Sequence, residues 1–297
     1  MEFEWTYDQA DSLLLRTFLK KQGISKKLLA KIKFQGGKIY VNNQEKNVLF
    51  SLKSHDKVTV VIPDEKGHDT LLEDKVPIEI VFEDDHLLII NKPAGVASIP
   101  AQYHPSGTMA NRVKAYYVQK GYKNQVVHVV TRLDKDTSGL MLFAKHGFAH
   151  AKLDQELQKK TLVKKYQALI SGEIAALSEH GQIDLPIVRD MTSLIKRKTD
   201  ESGQSALTEY WLSERNEHIA LVNIQLHTGR THQIRVHFSA VGCPLLGDDL
   251  YGGRMDLGIT RQALHCCALT FRHPFTGELL AFSLPLAKDM EIIAREL

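Results

Sequence analysis

VVTRLDKDTSGLMLFAK, residues 129–145, sets two strands around one charged turn. The β-rich run Val126 to Val130 leads in, and the apolar run Leu140 to Ala144 reads as a buried strand. Between them lie Arg132, Asp134, Asp136, Thr137, Ser138 and Gly139. One carboxylate, Asp134, thus sits on a tight loop between strands, a position where a rigid scaffold can hold a reactive group. A solvated turn with an Asx-type hydrogen bond fits the same residues. Taken alone, the stretch leaves both readings open.

Two further segments bear on the choice. TLVKKYQALIS, residues 161–171, alternates like a strand, with Tyr166 near its centre. In LVNIQLHTGRTHQIRVHFSAV, residues 221–241, a strand ends at His227. The turn TGRT carries Arg230, and a helix is expected from about Thr231, which is placed to cap it. With RLDKDTSGL at 132–140, KYQAL at 165–169 and TGRTHQIRVH at 228–237, the chain resembles the RNA pseudouridine synthases of the RluA type. INKPAG at 90–95, GDDLYGG at 247–253 and RQALHCCALTFRHP at 261–274 extend the resemblance over nearly everything from Val76 onward.

Composition is compatible with that family without pointing to it. Hydrophobic residues make up 43% and charged residues 25% of the 297, an ordinary balance for a globular chain. The acidic start MEFEWTYDQADSL is not a signal peptide, and no apolar run is long enough to span a bilayer. Three cysteines, Cys243, Cys266 and Cys267, form no disulfide framework, so a cytoplasmic setting is expected. The net charge of +3 is too small to identify a nucleic-acid partner, so the location of the charge matters more.

Residues 1–63 read as a small α/β module. An apolar stripe from Leu13 to Leu19 suggests a first helix; Ser25 is a candidate cap for a second, KKLLAKIKF; KIYVNNQ and KVTVVIP follow as strands. Arg16, Lys20, Lys21, Lys26, Lys27, Lys31, Lys33 and Lys38 run with no acidic residue among them. Such a run is either a wet helical face or a footprint for phosphates. The pattern resembles the small RNA-binding module of ribosomal protein S-four, which often precedes this catalytic domain. Residues 64–75, DEKGHDTLLEDK, read as a polar linker, and residues 76–297 as the catalytic domain. The strand-rich pattern of the second domain predicts an α+β fold on a mostly antiparallel sheet. The resemblance implies that the sheet is curved, with a cleft across its middle.

Isomerising uridine to pseudouridine breaks the bond from ribose C1′ to N1 and remakes it to C5, which requires no metal or redox cofactor. The resemblance makes Asp134 the essential carboxylate, attacking either the sugar or the base. It pairs Asp134 with Arg230, whose alternative is a phosphate contact. It places Tyr166 against the uracil, where a core tyrosine is the plainer reading. Arg132 is a candidate RNA contact or a loop ion pair, and Leu264 an apolar neighbour of the base or a core residue. The family often has His where this chain has Thr131, which puts RNA contacts near the loop in question. His227, His232 and His237 lack a metal-binding spacing, and the glycines of GDDLYGG read as turn formers. RNA, ribosomal or transfer, is the expected partner of a monomeric enzyme.

Overall fold

The computed structural model describes residues 1–65, 67, 70–101 and 105–297. Its main sheet has ten strands, eight of them in one open row. In spatial order these are His180–Asp184, Leu207–Arg215, Ile219–Leu226, Val163–Ser171, Leu264–Arg272, Ser138–Ala144, Leu87–Lys92 and Glu79–Glu83. Leu279–Ser283 pairs with Leu264–Arg272, and His128–Val129 pairs with Ser138–Ala144. Among the described residues every pairing of this sheet is antiparallel except one, in which Ser138 and Gly139 run parallel to His265 and Cys266. The result is the α+β fold on a mostly antiparallel sheet that the strand pattern predicts.

The runs LLII and LMLFA are apolar throughout because helices and loops cover both faces of these strands. Leu87, Ile89, Leu140 and Leu142 enter the main core. Leu88, Ile90, Met141 and Phe143 face a second layer built on the helix Met109–Gln119. Thr108 caps that helix, and Asn111 completes a capping box. The helix Gly147–Gln158 begins at His146, whose Nδ1 accepts the Ala149 N–H.

At the N-terminus Glu2–Tyr7, Asp56–Val61, Lys38–Val41 and Gln44–Glu45 form a separate four-stranded sheet. The helices Leu15–Lys21 and Lys26–Phe34 pack on it, the second capped by Ser25. The strand Glu2–Tyr7 lies in the acidic stretch that sequence reading took only as evidence against a signal peptide. Its alternating EFEWTY is the period-two signal that was there to be read.

The polar stretch 64–75 is no free joint where it is described. Lys66, His68 and Asp69 lie outside the described residues. Glu65 accepts from the Gly147 N–H and pairs with Lys31 and His128. Asp74 pairs with Arg112, and Asn111 donates to the Leu72 carbonyl. Phe3 stacks on Phe275 and meets Phe148 edge-on, so the small sheet packs against the helix Gly147–Gln158 and the turn that carries Phe275.

Candidate active site

The loop carrying Asp134 is held from four directions. Ser98 Oγ donates to the Leu133 carbonyl and accepts the Leu133 N–H. Lys92, with no exposed surface, donates to the carbonyls of Pro93, Val96 and Lys135. Burial pushes its pKa down to about 7. Arg261 donates to the Asp136 carbonyl, and Gln262 to Thr137 Oγ1. Thr131 Oγ1 accepts the Leu142 N–H. The residue that departs from the family's usual His therefore ties the loop to the strand.

Asp134 keeps 28% of its side chain accessible and faces an arginine and a histidine. Arg235 Nη1 lies 3.5 Å from Asp134 Oδ2, and His232 Nε2 lies 3.9 Å away. Arg235 also makes a bidentate pair with Asp248, at 2.7 and 2.8 Å, and stacks over Tyr251. Burial opposes its charge, but Asp248 and Asp134 outweigh burial and raise its pKa. Burial lowers the pKa of His232 against the pull of Asp134.

This arrangement corrects the expected pairing. Arg230 is exposed and donates from Nε to the Ser205 carbonyl at 2.9 Å. The arginine facing Asp134 is the second one of TGRTHQIRVH, on the helix Gln233–Ala240. Thr231 does not cap that helix. His232 precedes it in a left-handed conformation, and Gln233 Oε1 accepts from the Arg230 N–H and the Thr228 hydroxyl. The GDDLYGG segment is more than a turn, since Asp248 and Tyr251 position Arg235. A buried arginine requires a buried acid, and Asp248 supplies it.

Tyr166 projects from Val163–Ser171 with 4% of its surface exposed. The neighbouring strand bulges opposite it, so that Cys266 and Cys267 face the one residue Tyr166. Bulges of this kind re-aim side chains beside active sites. Burial, with the Cys266 and Asp134 charges behind it, raises the tyrosine pKa well above its ordinary value. The phenol is therefore held in its neutral form. Leu264 is 4% exposed, sits in the main core and also lines the cavity.

Asp134, Arg235, Tyr166, Leu264 and Lys164 surround a chamber of about 100 Å³. It opens into a groove of about 770 Å³, lined by Arg132, Lys135, Lys160 and Arg230 among others. Arg132 is exposed there and makes no ion pair among the described residues. His227 binds Glu209, and His237 binds Thr208 and the Leu185 carbonyl. No group of metal-ligating side chains is assembled among the described residues. No helix among them is long and apolar enough to cross a membrane.

A chamber the size of one small ring, opening onto a groove edged with cations, has room for a single base drawn out of a polynucleotide. The sequence model of the RNA pseudouridylate synthase family matches residues 86–240. The uncharacterised RNA pseudouridine synthase YjbO of Bacillus subtilis is 45% identical, covering 94% of this chain and 97% of its own length. Ribosomal large subunit pseudouridine synthase D of Buchnera aphidicola is 34% identical over 95% of this chain and 92% of its own length. The structure of human RNA pseudouridylate synthase domain containing 4 is 25% identical and superposes with a TM-score of 0.59, covering 72% of this chain and 90% of its own. The chain belongs to the RNA pseudouridine synthase family, of the RluA type, and isomerises uridine in RNA.

Proposed function

We propose that Asp134 is the catalytic group, that Arg235 orients it, and that the substrate is large-subunit ribosomal RNA. The observation that carries this reading is the Asp134 carboxylate, accessible to the chamber and 3.5 Å from a guanidinium that Asp248 holds in place. The fixed guanidinium orients the carboxylate for attack on C1′ or addition to the base. Tyr166 stacks on the extruded uracil, and Arg132 holds the RNA at the rim. The C1′–N1 bond breaks, the ring turns, C1′ bonds to C5, C5 loses a proton and N1 gains one. The product is an isomer of unchanged mass.

The ribosomal substrate is supported by the Buchnera relative, a ribosomal large subunit enzyme by name. Residues 1–63 supply an RNA-binding module. Arg16, Lys26 and Lys27 point to solvent there, whereas Lys31 is engaged by Glu65. The enzyme is proposed to act as a cytoplasmic monomer. The test is pseudouridine mapping of total RNA from cells with and without the gene, with Asp134→Asn as the rescuing allele. Modified sites that vanish on deletion and return with Asp134→Asn would remove the catalytic role. Changes confined to transfer RNA would remove the ribosomal assignment.

A further inference from the structure

The chamber holds one cation that these roles leave unassigned. Lys164 lies two residues before Tyr166 on Val163–Ser171, so both side chains leave the same face of the sheet. It lines the chamber and the groove alike, and is half-buried. Among the described residues its ammonium has neither a hydrogen-bond nor an ion-pair partner. The other cations are occupied or peripheral: Asp248 holds Arg235, the Ser205 carbonyl holds Arg230, and Arg132 is at the exposed rim. Burial lowers the pKa of Lys164. Burial also pushes the neighbouring Cys266 thiol up to about 12, and the Lys164 charge pulls it the other way. A cation with unused hydrogens therefore stands beside Tyr166 and Cys266.

The reaction creates a need for such a group. When C1′–N1 breaks, the electron pair stays with the ring, and the charge spreads over N1, O2 and O4. Leu133, Leu264 and Tyr166 form the apolar part of the chamber wall, and Lys164 is a donor among the polar groups that line the rest. A donor already in place stabilises developing charge without reorganising. We propose that Lys164 is a catalytic residue, donating a hydrogen bond to a uracil carbonyl oxygen and stabilising the anionic ring between bond breaking and bond making. The inference rests on the Asp134-centred reading of the site. Lys164 keeps its proton throughout; the proton lost from C5 and the one gained at N1 balance, and nothing is oxidised or reduced.

The test uses total RNA from a strain lacking the gene, labelled with tritium at uracil C5. Release of label to water reports turnover. Lys164→Met should lower kcat by about 100-fold or more with KM within about threefold. Lys164→Arg should recover at least about tenfold of that loss. Lys165→Met, on the exposed opposite face, should match wild type. Near-normal kcat in Lys164→Met, with a raised KM and a shallower salt dependence, would make Lys164 a phosphate contact and overturn the proposal. If Lys164→Met does not fold, Lys164→Gln decides by the same split. An inactive Asp134→Asn beside an active Lys164 variant overturns this inference alone. An active Asp134→Asn overturns the reading beneath it.

Discussion

Replacing Asp134 by asparagine preserves shape and removes charge. Asparagine is a very poor nucleophile, so turnover should fall below detection. RNA affinity should stay within about tenfold, ~1.4 kcal/mol. Asp136→Asn is the control; nucleotide analysis of RNA treated with each variant checks the pair, and an inactive Asp136 variant would move the assignment. The two arginines of TGRTHQIR separate by the same logic. Arg235→Ala leaves Asp248 buried and unpaired, at a cost of roughly 3–5 kcal/mol, and should also abolish turnover. Arg230→Ala, exposed and bound to one carbonyl, should stay within about 0.5 kcal/mol of wild type in thermal unfolding. The reverse order of stabilities would contradict the geometry. That Asp134 sits on a loop and Tyr166 on a strand was legible from RLDKDTSG and KYQAL. That Arg235 and not Arg230 faces Asp134 was not, because the two arginines of one motif part in direction only once the helix begins.

At the scale of elements, the parallel pairing between Ser138–Ala144 and Leu264–Arg272 depends on Gly139. Its φ of +112° lies where side chains are strained, and a Cβ there would collide with the Cys266 backbone. Gly139→Ala should cost at least about 1–3 kcal/mol from backbone strain alone. Denaturant unfolding measures this, and an unchanged midpoint would show that the strands can separate at no cost. The turn signal TSG was readable along the chain. The partner strand, more than a hundred residues away, was not.

The whole molecule depends on how the small sheet seats against the rest of the chain. His146 Nδ1 accepts from the Ala149 N–H, so its Nε2 carries the proton and donates to His86 Nδ1, 3.0 Å away. Burial holds the His146 pKa down to about 3, against an ordinary 6.5. Between those values the unfolded chain binds more protons, so this contribution is complete above about 6.5 and declines as pH falls through that window. For Glu65, burial favours the neutral acid, but His128, Lys31 and the Gly147 N–H outweigh it and hold the pKa at about 2, against 4.5. Its contribution declines as pH falls from 4.5 towards 2. The melting temperature should therefore fall from pH 7 to pH 5 and more steeply below about 4.5; a flat profile from 7 to 5 would contradict the His146 account. Phe148 and Phe275 also pack into the core of the N-terminal module, so cutting away residues 1–63 would expose them and confound any binding assay. Changing the exposed Arg16, Lys20, Lys26 and Lys27 to Gln is the cleaner test of RNA binding. The slope of log affinity against log salt should shrink by about 0.7–0.9 for each phosphate no longer neutralised, and an unchanged slope would leave that face a solvated surface.

The sequence by itself determined the strand-rich α+β class, the order of motifs and the aspartate on its loop. Those features depend on local periodicity and turn chemistry, which neighbouring residues carry. Only the tertiary structure decided which arginine faces Asp134, that Asp248 and Tyr251 hold it, that a bulge at Cys266 and Cys267 aims Tyr166, and that Glu65 ties the small sheet down. Each of these joins segments far apart in the chain, where burial and charge pairing act across space and leave no periodic trace in the sequence.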